Sequence, residues 1–180
     1  KEGGRLEMVK HALRLLMTQL DGRDSLAIVA YNNEARLVLP MTSAANRVTV
    51  EEAIQQLQHG GGTNAEAGLR LGYAQAVDGL TPGAQNRVVL LSDGVANIGQ
   101  TNQDLLNENV RTWRELGIYL NTVGVGMNNH NDSFLDQLAN KGDGVCNYID
   151  DAAEAKKVLV DKFTGAFQVI ARDAKIQVEF

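Results

Sequence analysis

The sequence predicts an α/β domain built on a doubly wound, mostly parallel sheet with helices on both faces. Two observations support this prediction: apolar runs of strand length show no polar alternation, and amphipathic segments alternate with them along the chain. Apolar runs of this kind are typical of parallel strands that are covered on both faces. Strands that alternate with helices form one sheet with the helices packed over it.

Composition limits the classes of protein to which the chain can belong. Its 180 residues are 44% hydrophobic and 22% charged, with a formal net charge of -5, as in one globular domain. No Lys/Arg run follows the pattern of a phosphate-binding surface, so nucleic acid is not expected as a partner. No apolar run reaches the ~20 residues that span a bilayer, so no membrane segment is expected in this chain. The single cysteine, Cys146, excludes an internal disulfide and is interpreted as a small buried hydrophobe.

The first elements follow from hydrophobic periodicity and turn residues. Apolar residues at spacings of three and four predict a helix over Arg5–Leu20. The continuous apolar run Ser25–Tyr31 predicts a buried strand. Three residues link it to Ala35–Leu39, which we expect to pair antiparallel with it at the sheet edge and to end at Pro40. Thr49 is then expected to cap a second helix, with an acidic residue three positions later in a capping box.

The rest of the chain continues this alternation. The predicted elements are, in order, a small-residue helix at 65–77, strand 87–91, helix 101–116, strand 118–125, helix 133–138, strand 145–149 and helix 152–170. Arg87–Leu91 has no polar alternation and is predicted to be a central parallel strand. The last residues, 174–180, alternate with period two, which predicts a half-exposed strand. We therefore expect one domain over 1–170, with 171–180 leading into a β-rich region.

Two oxygen-bearing segments are predicted at one edge of this sheet. Asp93 stands just past the end of a predicted strand, after Ser92 and before Gly94. In doubly wound sheets, ligands bind beyond the carboxyl ends of the strands. Thr63 follows the glycines at 60–62 and opens the next helix. The two segments therefore predict a binding site at this edge.

The residue types in these segments favour a hard cation. A hydroxyl and a carboxylate, without a cluster of Cys or His, suit Mg²⁺, Mn²⁺ or Ca²⁺ better than zinc. Gly61 and Gly62 give the backbone freedom that would let Thr63 move toward a ligand. Asn64 supplies an amide that can hold a water molecule or a neighbouring loop.

Each candidate ligand also has a purely structural interpretation. Thr63 can be the N-cap of the helix it opens, with Glu66 completing a capping box. Asp93 can be a turn residue that accepts hydrogen bonds from nearby backbone N–H groups before Gly94. From the residues alone, both interpretations remain open.

The order and content of these segments resemble the von Willebrand factor type A domain, which has a Rossmann-like fold. The matching features are Gly60–Asn64 before a small-residue helix, Arg87–Gly94 and Leu120–Gly126, within a likeness that covers residues 1 to 170. The tail at 171–180 further resembles bacterial members in which a β-rich region follows the domain. For such members the resemblance implies a place outside the cytoplasm, in the periplasm or at the cell surface.

The resemblance implies a metal-ion-dependent adhesion site. In that family an Asp-x-Ser-x-Ser loop, a Thr and an Asp hold a divalent cation; Thr63 and Asp93 match the last two. The supporting loops would contain Gly61, Gly62, Asn64, Ser92 and Gly94. The implied metal is Mg²⁺ or Mn²⁺, with Ca²⁺ as an alternative. The first loop would precede the first helix, and Lys1–Leu6 is interpreted as its remainder, so the site in this chain is incomplete and need not bind metal by itself.

The family's first central strand would also lie upstream of the first helix. Its absence would leave its two neighbours about 10 Å apart, two steps of ~4.8 Å, with unpaired backbone groups between them. We expect a strand that precedes Lys1 in the intact protein to fill this gap. The alternative is that another segment, such as the tail strand at 174–180, fills it.

The expected function is a non-enzymatic adhesion or protein-interaction module, in which the metal binds an Asp or Glu of a protein partner. The alternative is a structural or assembly scaffold that binds without metal. A hydrolase is disfavoured because the glycines at 60–62 are not accompanied by a Gly-x-Ser-x-Gly nucleophile segment. Gly124–Gly126 lacks the third glycine of a dinucleotide-binding loop.

Overall fold

The computed structural model describes residues 2–58, 60–92, 103–126 and 133–161. The helices in this part of the chain are α1 (Glu2–Thr18), α2 (Arg47–Gln55), α3 (Ala65–Asp78), α4 (Gln103–Glu115), α5 (Ser133–Lys141) and α6 (Ala152–Lys156). The strands are β1 (Ser25–Tyr31), β2 (Ala35–Ser43), β3 (Asn86–Ser92), β4 (Ile118–Val125) and β5 (Cys146–Ile149). A π-helical turn, Lys157–Asp161, follows α6. The predicted alternation of helices and strands is confirmed.

The five strands form two separate sheets. β1 and β2 pair antiparallel, and β3, β4 and β5 form a parallel sheet in that order. Within the described residues, no backbone pairing joins β1 to β3. The α/β class, the parallel strands and the antiparallel pair agree with the sequence prediction, whereas the predicted single sheet is present as two parts.

Two helices hold these parts together from opposite sides. On one face, α3 contacts strands of both sheets, namely β1, β2, β3 and β4. On the other face, α1 contributes to two hydrophobic clusters: Met17 packs in the one formed with β1, β2 and α2, and Ala12 in the one formed with β4, β5 and α6. The gap between β1 and β3 is therefore covered by α3 on one side and α1 on the other.

Tyr31, the last residue of β1, makes a direct link across the gap. Its hydroxyl donates a hydrogen bond to the carbonyl oxygen of Leu91 in β3, at 3.0 Å. Its ring lies so close to α3 that a Cβ atom at Gly68 would be 2.7 Å from Tyr31 Cγ. The absence of a side chain at Gly68 therefore allows α3 to approach β1 closely.

Polar contacts fix α1 on α2. Arg14 Nη2 and Nε donate to Glu51 Oε1 at 2.6 and 2.9 Å, and Lys10 Nζ donates to the carbonyl oxygen of Gln55 at 3.2 Å. The hydrogen bond from Arg14 lowers the pKa of Glu51. Lys10 contacts the last residue of α2, and Arg14, one turn later in α1, contacts Glu51, one turn earlier in α2. The two helices are therefore antiparallel.

Two element boundaries differ from the sequence prediction because tertiary contacts override local signals. β2 continues past Pro40 to Ser43, because the register against β1 shifts between Leu26 and Ile28, opposite Pro40. A bulge does not require the N–H that proline lacks. The predicted cap at Thr49 is also wrong: α2 begins at Arg47, whose guanidinium donates to the carbonyl oxygens of Met17 and Leu20 near the end of α1.

The strand predicted to be central, Arg87–Leu91, lies at an edge of the described parallel sheet. β4 is the middle strand, and all eight of its residues are buried, whereas most residues of β3 are half-buried. An apolar strand with an open edge is a template for pairing with another strand. The predicted helix from 152 is described only as far as Asp161, and the predicted tail strand lies outside the described residues.

No helix in the described ranges is long and apolar enough to span a bilayer.

Replacing Tyr31 with Phe should lower the free energy of unfolding by about 1 kcal/mol, because it removes the hydrogen bond between the two sheets. Chemical denaturation of the wild type and variant measures this difference. Tyr73→Phe is the matched control. Burial raises the pKa of Tyr73, and its hydroxyl has no hydrogen-bond partner among the described residues, so its removal should leave the stability unchanged or higher. Equal losses in the two variants would contradict the bridging role of Tyr31.

Candidate functional site

The carboxyl ends of β1, β3 and β4 lie at one edge of the structure. Ser92 at the end of β3 pairs with Gly124 in β4. The hydrogen bond from Tyr31 to Leu91 places the end of β1 at the same edge. The described candidate residues of the two predicted segments, among them Thr63, Asn64 and Ser92, therefore lie near this edge, on opposite sides of the gap between β1 and β3.

Asn64 attaches the start of α3 to the turn that follows β1. Its backbone N–H donates to the carbonyl oxygen of Asn32 at 2.6 Å, and its side-chain Nδ2 donates to the carbonyl oxygen of Asn33 at 3.3 Å. Its Oδ1 accepts a hydrogen bond from the N–H of Ala67 at 3.1 Å. Asn64 is therefore both the N-cap of α3 and the contact with a neighbouring loop that the sequence suggested.

Thr63 is not the helix cap, so the capping box with Glu66 is wrong. The cap falls one residue later because Asn64 can satisfy a first-turn N–H of α3 and donate to the Asn33 carbonyl at the same time. The Thr63 side chain is half-buried and makes no hydrogen bond within the described residues. Thr63 thus stands near the carboxyl end of β1 through its neighbour Asn64, and its hydroxyl makes no hydrogen bond to the described residues.

The glycines before Thr63 allow close approach to the same turn. A Cβ atom at Gly60 would overlap the side chain of Asn32, lying 2.8 Å from its Cβ. Gly62 has a φ of 85°, and a Cβ atom there would overlap the side-chain amide of Asn33. Gly61 has no atom within 4 Å of an added Cβ. Two of the three glycines are therefore explained by packing rather than by the freedom that the sequence suggested.

The second predicted segment, Ser92–Gly94, is described only at Ser92, whose exposed fraction is 2%. Asp93 and Gly94 lie outside the described residues, as does His59. Among the described residues, no three His, Cys, Asp or Glu side chains come together in a group that could hold a metal ion. The Thr63 hydroxyl is of the ligand type that a hard cation accepts, and the described residues supply no acidic cluster beside it.

The start of α1 lies at the same edge. Arg5 packs beside Gly126, which follows β4: a Cβ atom at Gly126 would be 3.2 Å from Arg5 Cγ. The first turn of α1 therefore lies beside the carboxyl end of β4.

A cavity of about 540 Å³ opens beside the glycine loop. Polar side chains contribute much of its lining, namely Asn32, Glu34, Arg36, Gln56 and Gln58. The edge next to Gly60 is thus a polar concave surface of mixed charge.

Sequence reasoning missed the role of Asn32 and Asn33, which it interpreted only as a short link between strands. A signal was available, because Asn is favoured in turns where its side chain bonds to nearby backbone groups. Here Asn32 Oδ1 accepts the N–H of Glu34 at 3.0 Å and so stabilises the turn. What the sequence could not show is that this turn contacts the glycine loop 31 residues away.

The fold and this edge define an α/β binding domain with its candidate site at the strand ends. The sequence profile of the von Willebrand factor type A domain matches residues 2–162. The chain belongs to the von Willebrand factor type A domain family, as the sequence resemblance indicated.

Individual relatives agree with this assignment. The uncharacterised protein YfbK of Escherichia coli (strain K12) is 37% identical over 176 residues, which are 98% of this chain and 31% of that protein. A von Willebrand factor type A structure from Catenulispora acidiphila has a TM-score of 0.74 at 20% identity, over 90% of this chain and 38% of the other. Proximal thread matrix protein 1 from the mussel byssus, with a zinc-occupied MIDAS motif, has a TM-score of 0.63 at 17% identity, over 86% and 41%. The chain thus spans about a third of the length of YfbK.

Replacing Asn64 with Ala should lower the free energy of unfolding by about 1 to 2 kcal/mol, because it removes the helix cap and the bond to Asn33. Thr63→Ala should change it by no more than about 0.5 kcal/mol, because the Thr63 side chain makes no structural hydrogen bond. Denaturation in the presence of EDTA measures both without a contribution from metal. A loss at Thr63 as large as that at Asn64 would show that Thr63 is a structural residue.

Proposed function

We propose that this domain binds an acidic group of a protein partner through a divalent cation, and that it is not an enzyme. Thr63 and Asp93 would be two of the metal ligands, and a loop upstream of α1 would supply the others. The main observation in support is that Asn64 caps α3, which leaves the hydroxyl of the adjacent Thr63 without a hydrogen bond among the described residues. Family membership indicates a protein-interaction module and agrees with this proposal.

The cation would act as a Lewis acid that accepts a carboxylate oxygen of the partner's Asp or Glu. Mg²⁺ and Mn²⁺ suit hydroxyl and carboxylate ligands, and Ca²⁺ is the alternative. Because the mussel protein holds zinc in its motif, zinc belongs in the same comparison. The chain's own contribution is to hold the Thr63 oxygen at the edge through the attachment of Asn64 to Asn32 and Asn33.

We also propose that a strand upstream of α1 fills the gap between β1 and β3 in the intact protein, and that it leads into the missing metal loop. Three observations on the described residues support this: the two sheets are not paired with each other, β3 has no strand partner on the side away from β4, and α1 and α3 pack against elements on both sides of the gap. Such a strand would complete a doubly wound sheet. It would also place the metal loop between Thr63 and Ser92.

The proposed domain covers residues 1–170, and 171–180 would begin a β-rich region. We also propose a location outside the cytoplasm, because the chain resembles bacterial members of the family that are found there. The second candidate function is a metal-independent structural or assembly scaffold. The observation that favours it is the lack of a group of three potential metal-binding residues among the described ones.

Calorimetric titration of Mg²⁺, Mn²⁺, Ca²⁺ and Zn²⁺ into the full-length protein tests the site. Binding of Mg²⁺ or Mn²⁺ is expected in the wild type, and Asp93→Ala should abolish it because the variant removes a charged ligand. Thr63→Ala should weaken binding and leave the fold intact, because a neutral hydroxyl contributes less than a carboxylate.

Asp78→Ala is the matched control for Asp93→Ala. Asp78 is exposed at the last position of α3, a helix of 14 residues and therefore about 20 Å long, so it lies far from Thr63. This variant should bind metal like the wild type. Equal metal affinity in wild type and Asp93→Ala would refute the assignment, and a wild type that binds no metal would favour the scaffold.

Amide hydrogen exchange tests the proposed strand. In the full-length protein, the amides of β3 that face the gap should exchange at least about tenfold more slowly than in the 180-residue chain, because they gain partners. The amides of β4, which already has neighbours on both sides, are the internal control. If the tail strand filled the gap instead, the 180-residue chain would already be protected, and deletion of residues 171–180 would remove that protection.

A further inference from the structure

The turn that joins β1 to β2 contacts the loop before α3 at several points. Its two asparagines, Asn32 and Asn33, accept hydrogen bonds through their carbonyl oxygens from both nitrogens of Asn64. Their side chains occupy the space into which a Cβ at Gly60 or Gly62 would project. The loop and the turn therefore fit together on both sides of Thr63.

We infer that the Asn32–Asn33 turn is the element that positions Thr63 for metal binding, with Gly60 and Gly62 as the surfaces that it contacts. The inference rests on the proposed function and identifies positioning residues for that site. None of these four residues would itself touch the metal.

The residues on both sides of Thr63 are held by the same turn. On its carboxyl side, Asn64 is bonded to Asn32 and Asn33, and its Oδ1 accepts the N–H of Ala67 in the first turn of α3. On its amino side, Gly62 packs against Asn33 with a φ of 85°, which few other residues adopt. With both neighbours fixed to one turn, the Thr63 backbone has little freedom to shift.

The position of the turn explains why it can serve this purpose. Tyr31, the residue before it, is hydrogen-bonded to Leu91 in β3 and packed against Gly68 in α3. The turn is therefore tied to β3 and to α3, the two elements next to the predicted ligands. A rigid support of this kind keeps a ligand in place without a rearrangement at the moment of binding.

The three consecutive glycines provide a matched experiment. Gly60→Ala adds a methyl group that overlaps Asn32, whereas Gly61→Ala adds the same group one residue later in open space. Neither residue has a positive φ, so the two variants differ in packing rather than in backbone strain. Asn32→Gly removes the side chain that Gly60→Ala meets, and the double variant Gly60→Ala/Asn32→Gly tests whether space is restored.

Two measurements separate the positioning role from the metal site itself. The first is hydrogen exchange of the Asn64 amide in EDTA, which reports the bond to Asn32 without metal. The second is the dissociation constant for Mn²⁺ in the full-length protein. Gly60→Ala should accelerate the exchange and weaken Mn²⁺ binding by about tenfold or more, because placement errors of ~1 Å are costly at such sites. Gly61→Ala should stay within about twofold of the wild type in both measurements, because its methyl group meets no atom.

The double variant should bind Mn²⁺ more tightly than Gly60→Ala, because it removes the overlap, but less tightly than the wild type, because Asn32→Gly also removes the hydrogen bond from the Glu34 N–H that stabilises the turn. If Gly60→Ala and Gly61→Ala bind Mn²⁺ equally, the positioning role is overturned. A lower unfolding free energy for Gly60→Ala with an unchanged Mn²⁺ affinity would overturn it as well, since the contact would then serve stability alone. If the wild type binds no Mn²⁺, the proposed function fails and the positioning of a metal ligand fails with it. Exchange at Asn64 would then still show whether the turn holds the loop.

Discussion

The constraint on which this structure depends is the gap between β1 and β3. In the part of the chain that the structure describes, no backbone pairing joins the two sheets, and α1, α3 and the hydrogen bond from Tyr31 to Leu91 link them. Buried backbone groups without partners are costly, which is why folded proteins almost always pair them. The packing of α1 and α3 and the hydrogen bond of Tyr31 replace only part of the stability that a paired strand would contribute.

The gap also divides the candidate site. Thr63 is fixed to the β1 side through Asn64, and Ser92 ends β3 on the other side. The distance between these two halves depends on how far apart the sheets stand. Stability and binding are therefore linked in this domain: an element that fills the gap would at the same time set the spacing of the residues proposed to hold the cation. A cation with ligands from both halves would in turn join the two sheets.

Local patterns in the sequence predicted most helices and strands correctly. They failed at element boundaries that are set by contacts between residues far apart in the chain. The bounds of β1 and β4 are as predicted, although burial differs between them: all eight residues of β4 are buried, whereas Ile28 is the one buried residue of β1, which was expected to be a buried strand. Pro40 was expected to end β2, yet a bulge against β1 accommodates it. The start of α2 was misplaced because Arg47 bonds to the end of α1, which no local signal contains. At the candidate site, the glycines at 60–62 marked the loop that contains Thr63. The turn at Asn32–Asn33 was not predicted to contact this loop, because the contact joins segments 31 residues apart.

The pair Thr63–Asn64 shows why the exact cap residue matters for function. Both residue types are good helix caps, so local propensity alone does not separate them. Had Thr63 been the cap, its hydroxyl would accept a backbone N–H, and a metal would have to compete with that hydrogen bond. With Asn64 as the cap, the first turn of α3 is satisfied by an amide, and that same amide binds the Asn33 carbonyl. The contacts of its neighbours then hold the backbone of Thr63, and its hydroxyl would keep both lone pairs for a ligand. A metal-binding residue must be held rigidly while its oxygen is free of hydrogen bonds before the metal binds. This is most simply achieved when the neighbouring residue makes the structural hydrogen bonds.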